Sequence, residues 1–126
     1  MPTKFFTLEE ANGLLPQIKP LMSELLERRA KAVHTSQQMH GFWEEDHADK
    51  GGFNASRLTQ EFFHIERLVD EIQAFGCVIK DLNGGLLDFL AFREGREVYL
   101  CWRYGEAKIT HYHELHTGFS GRVKIE

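Results

Sequence analysis

Residues 96–113 read Arg96-Glu97-Val98-Tyr99-Leu100-Cys101-Trp102-Arg103-Tyr104-Gly105-Glu106-Ala107-Lys108-Ile109-Thr110-His111-Tyr112-His113, and their period of two marks the C-terminal half of the chain as β-structure. Two runs rich in β-branched and aromatic residues flank Gly105-Glu106, which is the pattern of strand, turn, strand. Toward the N-terminus, the turn Glu94-Gly95 follows a third run, Leu86 to Phe92. The turn Asn83-Gly84-Gly85 follows a fourth, Cys77 to Leu82. The spacing predicts an antiparallel meander of three or four strands.

Further upstream the period changes from two to 3.6, so residues 7–75 form the helical part and residues 77–126 the sheet and a C-terminal loop. Thr7 and Glu10 have the spacing of a capping box that starts a helix. Its apolar seam runs Leu8, Ala11, Leu15, Ile18, Met22, Leu25, Arg29 and Ala32. Pro16 and Pro20 each remove a helical hydrogen bond, which predicts a first piece ending near Leu14, a kink, and a long piece from Gln17 to near His40 or on to Asp46. Asp49, Lys50, Gly51, Gly52 and Asn54 read as a polar connection. A second helix is expected from Ala55 to Phe75, with Leu58, Phe62, Ile65, Val69 and Ile72 on one stripe and Gly76 as its left-handed stop. The expectation is a single α+β domain over residues 1–126: a long antiparallel helical hairpin, its first helix kinked at prolines, followed by a small antiparallel meander.

Two-residue loops at Glu94-Gly95 and Gly105-Glu106 would fix the register. Trp102 then opposes Leu87 and Ile109, Leu100 opposes Phe89 and His111, and Val98 opposes Ala91 and His113. Asp88, Cys101 and Thr110 share a row on the other face. In this register the two histidines lie on the apolar face. One added residue in either loop would move that strand's side chains to the opposite face.

A length of 126 residues and a 42% hydrophobic content suit one core. Fifteen Lys plus Arg against nineteen Asp plus Glu give a net charge of −4, which argues against nucleic acid as a partner. No apolar run approaches the ~18 residues of a membrane span, and no secretory leader is evident, so no membrane partner and a cytoplasmic location are expected. Cys77 and Cys101 read as free thiols, both unreactive: Cys77 as a small buried residue, Cys101 because a neighbouring carboxylate, Asp88, raises a thiol's pKa.

The strings FTLEEANGLLPQIKP, GLLDF, GREVYLCWRYGE and HELHTGFSGR, in that order, resemble a bacterial and archaeal family catalogued as domain of unknown function 2203. The resemblance spans nearly the whole chain and implies no particular reaction, substrate or cofactor. The positions it marks are Asp88, Tyr99, Cys101, Trp102, Arg103, Glu106, His113, Glu114, Gly121 and Arg122. Leu90 stands where that family often has proline, and His111 and His116 lie outside its pattern. A metal site that needs all three histidines is therefore not implied by the resemblance.

Two constellations carry chemistry. His111, His113, Glu114 and His116 form HxHExH, in which alternate strand residues share a face and could hold a divalent metal such as zinc, with Glu114 or His116 arriving from the turn. The plainer reading, histidines that cap the sheet edge, is the favoured one of that pair. Asp88, Arg103, His113, Glu114 and Arg122 could line a pocket for a metal or a small anion at the C-terminal end of the sheet, although for the charged groups taken alone a structural network, with Asp88 or Glu114 paired to Arg103 or Arg122, is the favoured reading. Binding of such a ligand is the leading expectation for function. Metal-assisted hydrolysis, with His111, His113 and His116 as ligands and Glu114 as general base, is the enzyme alternative. A homodimer through the helical hairpin, with Phe42, Trp43 and Phe53 at its tip, is the third. Glu61 and His64 read as boundary residues of a helix, and Glu44, Glu45, Asp46, His47 and Asp49 as a solvated connection.

Overall fold

The computed structural model describes residues 4–44 and 48–125, with side chains described outside residues 39–54. Helix α1 spans Leu8–Glu44 and α2 spans Ala48–Gln73. The strands are β1 Val78–Asp81, β2 Leu86–Arg93, β3 Arg96–Arg103, β4 His111–Glu114 and β5 Val123–Lys124, with a 3-10 turn at Phe119–Gly121 before β5. The five strands form one antiparallel sheet in chain order. The α+β architecture is as the periodicity predicts, with one strand more than expected.

The capping box forms: the Thr7 amide donates to Glu10 Oε1 at 2.9 Å, and the Glu10 amide donates to Thr7 Oγ1 at 3.0 Å. From there α1 runs unbroken through Pro16 and Pro20, contrary to the expected break after Leu14. Both prolines lie on the exposed side of the helix. The carbonyls they leave unpaired can be hydrated there, while the opposite seam is held by packing, which offsets the local cost. Ala11, Leu15, Ile18, Met22, Leu25 and Ala32 of that seam are buried. The expected connection at Asp49–Asn54 falls inside α2; an interior glycine costs a helix only about 1 kcal/mol and does not forbid it. The aromatic tip at Phe42, Trp43 and Phe53 and the acidic stretch from Glu44 to Asp49 lie outside the residues whose side chains are described.

On α2 the buried residues are Leu68 and Ile72, with Ile65 and Val69 packed beside them. Phe62, expected on this stripe, is 56% exposed. Position 61 takes the inward place instead, where the Glu61 carboxylate accepts from Arg28 of α1. Gly76 stops the helix at φ +104°, and a Cβ there would lie 2.9 Å from the Phe6 ring.

The helices cover one face of the sheet. Leu87, Phe89, Ala91, Val98, Leu100 and Trp102 point into this core, with the Phe6 ring edge-on to Phe89 at 5.2 Å. The β2–β3 register matches the expected one at every position, Leu87 to Trp102, Asp88 to Cys101, Phe89 to Leu100 and Ala91 to Val98. Its loop has Glu94 at φ 53° and Gly95 at φ 78°, the left-handed pair of a two-residue hairpin turn.

The β3–β4 register is displaced by one residue from the expected one. His111 pairs with Cys101, Tyr112 with Leu100, His113 with Tyr99 and Glu114 with Val98. The cause is that Gly105-Glu106 is not a two-residue loop. The segment after Tyr104 leaves the sheet and docks on α1: the Ile109 amide donates to Asn12 Oδ1 at 2.7 Å, and Lys19 Nζ donates to the Ala107 carbonyl at 2.7 Å. Trp102 Nε1 donates to the Glu106 carbonyl at 2.9 Å and ties the segment from below. Pairing resumes only at His111, and the period of two then moves His111 and His113 off the apolar face and Tyr112 onto it.

Candidate metal centre

The displaced register sets the site. His113 now stands on the face of the sheet away from the helices, diagonally across β3 from Asp88. Its Nε2 lies 3.0 Å from both carboxylate oxygens of Asp88, and Cys101, the strand partner of Asp88, completes the group. One donor atom from each of Asp88, Cys101 and His113 lies within 4.8 Å of the other two, and the residues are 2%, 1% and 3% exposed. Among the described residues this is the one trio of such ligating side chains that converges.

The second ring nitrogen of His113 explains the orientation. Nδ1 lies 2.8 Å from the Glu114 carbonyl, an acceptor only, so Nδ1 carries a proton and donates it. In a neutral imidazole the Nε2 lone pair then faces two carboxylate oxygens. Acceptor facing acceptor is repulsive unless a proton or a cation lies between them. A histidine fixed through Nδ1–H to a backbone carbonyl, with Nε2 turned to a carboxylate and a sulfur, has the arrangement usual for a metal-ligating imidazole.

Burial pushes the Cys101 thiol up to about 12, with the neighbouring Asp88 carboxylate adding to the rise and Arg122 opposing it. Burial likewise pushes Cys77 up to about 11, and its thiol donates to the Ile72 carbonyl at 3.4 Å. Both cysteines are free and buried, and burial favours the protonated thiol in each. A thiol that holds its proton in the metal-free protein releases it to solvent when a metal binds, because a coordinated cation stabilises the thiolate directly.

The trio forms the floor of a cavity of about 290 Å³. Leu86, Leu115, Thr117, Gly118 and Phe119 wall it, with Lys80 and Asp81 at the rim. The C-terminal loop holds its shape by close approach: a Cβ on Gly121 would lie 2.6 Å from Thr117 Cβ, so that position has room only for hydrogen.

The other expected site residues take separate places. Arg103 and Arg122 lie over the Phe119 ring, 5.8 and 4.7 Å from its centroid, and so hold the cavity wall. Arg122 NH2 donates to both carboxylate oxygens of Glu106 at 2.9 Å, while its Nε is buried without a partner. Glu114 is bound to Arg96 at 2.7 Å, a pairing that holds the Glu114 carboxyl below its usual range. His111 Nδ1 meets Thr110 Oγ1 at 2.8 Å, and His116 is exposed. His111, His113, Glu114 and His116 therefore do not converge, and only His113 of that motif enters the cluster. Cys101 was not expected as a ligand. Its position opposite Asp88 was legible, but with both histidines assigned to the other face nothing joined that pair.

No curated protein and no solved structure matches this chain. A protein-family comparison matches residues 4–125, in agreement with the resemblance of the motif strings. The chain belongs to the family described as Uncharacterized conserved protein (DUF2203).

Proposed function

We propose that this protein binds a divalent transition metal, zinc being the best fit, through Asp88 Oδ, Cys101 Sγ and His113 Nε2, with the cavity above them left for an exogenous ligand. The observation that carries this reading is the convergence of three buried donor atoms of mixed type, one already oriented from behind by a backbone carbonyl. Thiolate, imidazole and carboxylate together suit zinc, and three protein donors leave one tetrahedral position free. Charge supports it too. A carboxylate and a thiolate side by side and desolvated are strongly repulsive, and a 2+ ion makes the group neutral. When bound, the metal would supply Lewis acidity to whatever enters the cavity. The chain's own contribution is to orient His113, wall the cavity with Leu86, Leu115 and Phe119, and present the ligand with the Lys80 ammonium at the rim.

The test is elemental analysis of the purified protein together with thermal unfolding under added Zn²⁺. One equivalent of bound metal is expected, with a gain of about 2.7 kcal/mol in stability at a hundredfold excess of free ion over Kd. Metal-free protein whose melting temperature ignores Zn²⁺ would overturn the reading.

A further inference from the structure

We infer that a second site, unrelated to the Asp88 cluster, binds a small amphipathic carboxylate between the N-terminal segment and the open end of the core. A cavity of about 360 Å³ lies there, walled by Phe5, Phe6, Leu8, Phe92 and Leu100, with Arg93 on its lining. Its size is at the lower end of the range of small-molecule sites.

The polar element is what makes this a site and not a packing defect. Arg93 ends β2 on the core-facing side, in step with Leu87, Phe89 and Ala91. Its Nε is buried with no hydrogen-bond partner, and its guanidinium makes no hydrogen bond or ion pair among the described residues. The contact it has is the face of Tyr112, 4.6 Å from the ring centroid, which fixes the plane but uses none of the five N–H donors. Two carboxylates of this end of the sheet, Glu94 and Glu114, are held by Arg96. A half-buried guanidinium, its Nε shut off from solvent and its donors unused among the described residues, is complementary beside apolar walls to a carboxylate on an apolar body, because the fork of N–H groups matches two oxygens. Lys4, whose ammonium lies 5.0 Å from the centre of the Phe6 ring, adds positive charge at the same corner. The apolar walls favour an acyl or aryl group over a bare anion. The outer wall is a stacked pair, Phe5 on Phe92 at 4.2 Å, and Phe92 is 60% exposed, so this wall faces the solvent from which a ligand would arrive.

Octanoate and 1-octanol, which share a tail and differ in the head group, are the probes, followed by amide chemical shifts and calorimetry on the full chain. Octanoate is expected to bind saturably at one equivalent, shifting the amides of Phe6, Phe92 and Leu100, and to bind more tightly than octanol. Arg93→Met should weaken octanoate by about tenfold to a hundredfold, the effect of losing a charge-assisted hydrogen bond, and leave octanol unchanged. Among the described residues that variant removes no hydrogen bond. Arg93→Lys is a second one, which keeps the charge but not the fork and should fall between. Equal binding of acid and alcohol, octanoate affinity indifferent to both substitutions, shifts centred on His113 and Phe119, or no saturable binding would each overturn the inference.

Discussion

His113 Nε2 stands 3.0 Å from each of the two carboxylate oxygens of Asp88, with both residues almost fully buried. These groups are 25 residues apart in sequence and on strands separated by β3, so their meeting depends on the register of β3 against β4. The pair is also costly to break. Removing Asp88 leaves the His113 Nε2 edge desolvated without its carboxylate partner.

Asp88→Ala should therefore lower the stability of the metal-free protein by about 3–5 kcal/mol, measured by urea unfolding. Replacing both residues, Asp88→Leu with His113→Leu, should cost less than Asp88→Ala alone, since no orphaned polar group remains. If the double variant is the weaker of the two, the pair stabilises through more than mutual compensation.

Cys77 and Cys101 should resist alkylation at neutral pH until the protein unfolds. The sign of their contribution to stability follows from the raised values. The fold prefers both thiols protonated, so stability is unaffected below about pH 9, the ordinary thiol value, and falls as pH rises toward about 11 for Cys77 and about 12 for Cys101. Cys77→Ala should flatten the lower part of that alkaline loss in urea titrations from pH 8 to 11.

Glu94 occupies the left-handed region at φ 53°, where a non-glycine side chain is strained and asparagine is tolerated. Its contact with Arg96 is an exposed one at 3.6 Å and contributes little. Glu94→Asn is expected to raise stability by about 0.5–1 kcal/mol in thermal unfolding. A loss would mean that the ion pair outweighs the backbone strain.

Asn12 holds the segment that displaces the register, through Oδ1 and the Ile109 amide. Asn12→Ala should cost about 1 kcal/mol and speed hydrogen exchange at Ile109 more than at Leu100. Unchanged exchange at Ile109 would place the control of the register elsewhere, with Trp102 and the Glu106 carbonyl as the remaining tie.

How far the sequence could be read depends on the range of the forces concerned. The capping box, the seam from Ala11 to Ala32, the Gly76 stop and the Glu94-Gly95 turn are local, and local spacing was enough to find them. The β2–β3 register followed from that turn because its two loop residues close the hairpin directly. The β3–β4 register did not follow, because residues 105–110 are anchored by Asn12 and Lys19, some ninety positions away, and no local pattern near Gly105 reports that contact. From this single residue came the largest difference at the site, with His113 beside Asp88 instead of in the core. The continuous helix through Pro16 and Pro20 has the same origin, since tertiary packing of the seam outweighs a local penalty.

Whether Asp88, Cys101 and His113 hold one metal ion together can be read from cobalt spectroscopy. One equivalent of Co²⁺ should give a sulfur-to-metal charge-transfer band in the near ultraviolet and visible bands of tetrahedral intensity, displaced by Zn²⁺. Cys101→Ser should remove the charge-transfer band, and His111→Ala should leave both features in place. A spectrum of hexaaqua cobalt in the wild-type protein, or a charge-transfer band that survives Cys101→Ser, would mean that these three side chains are not the ligands.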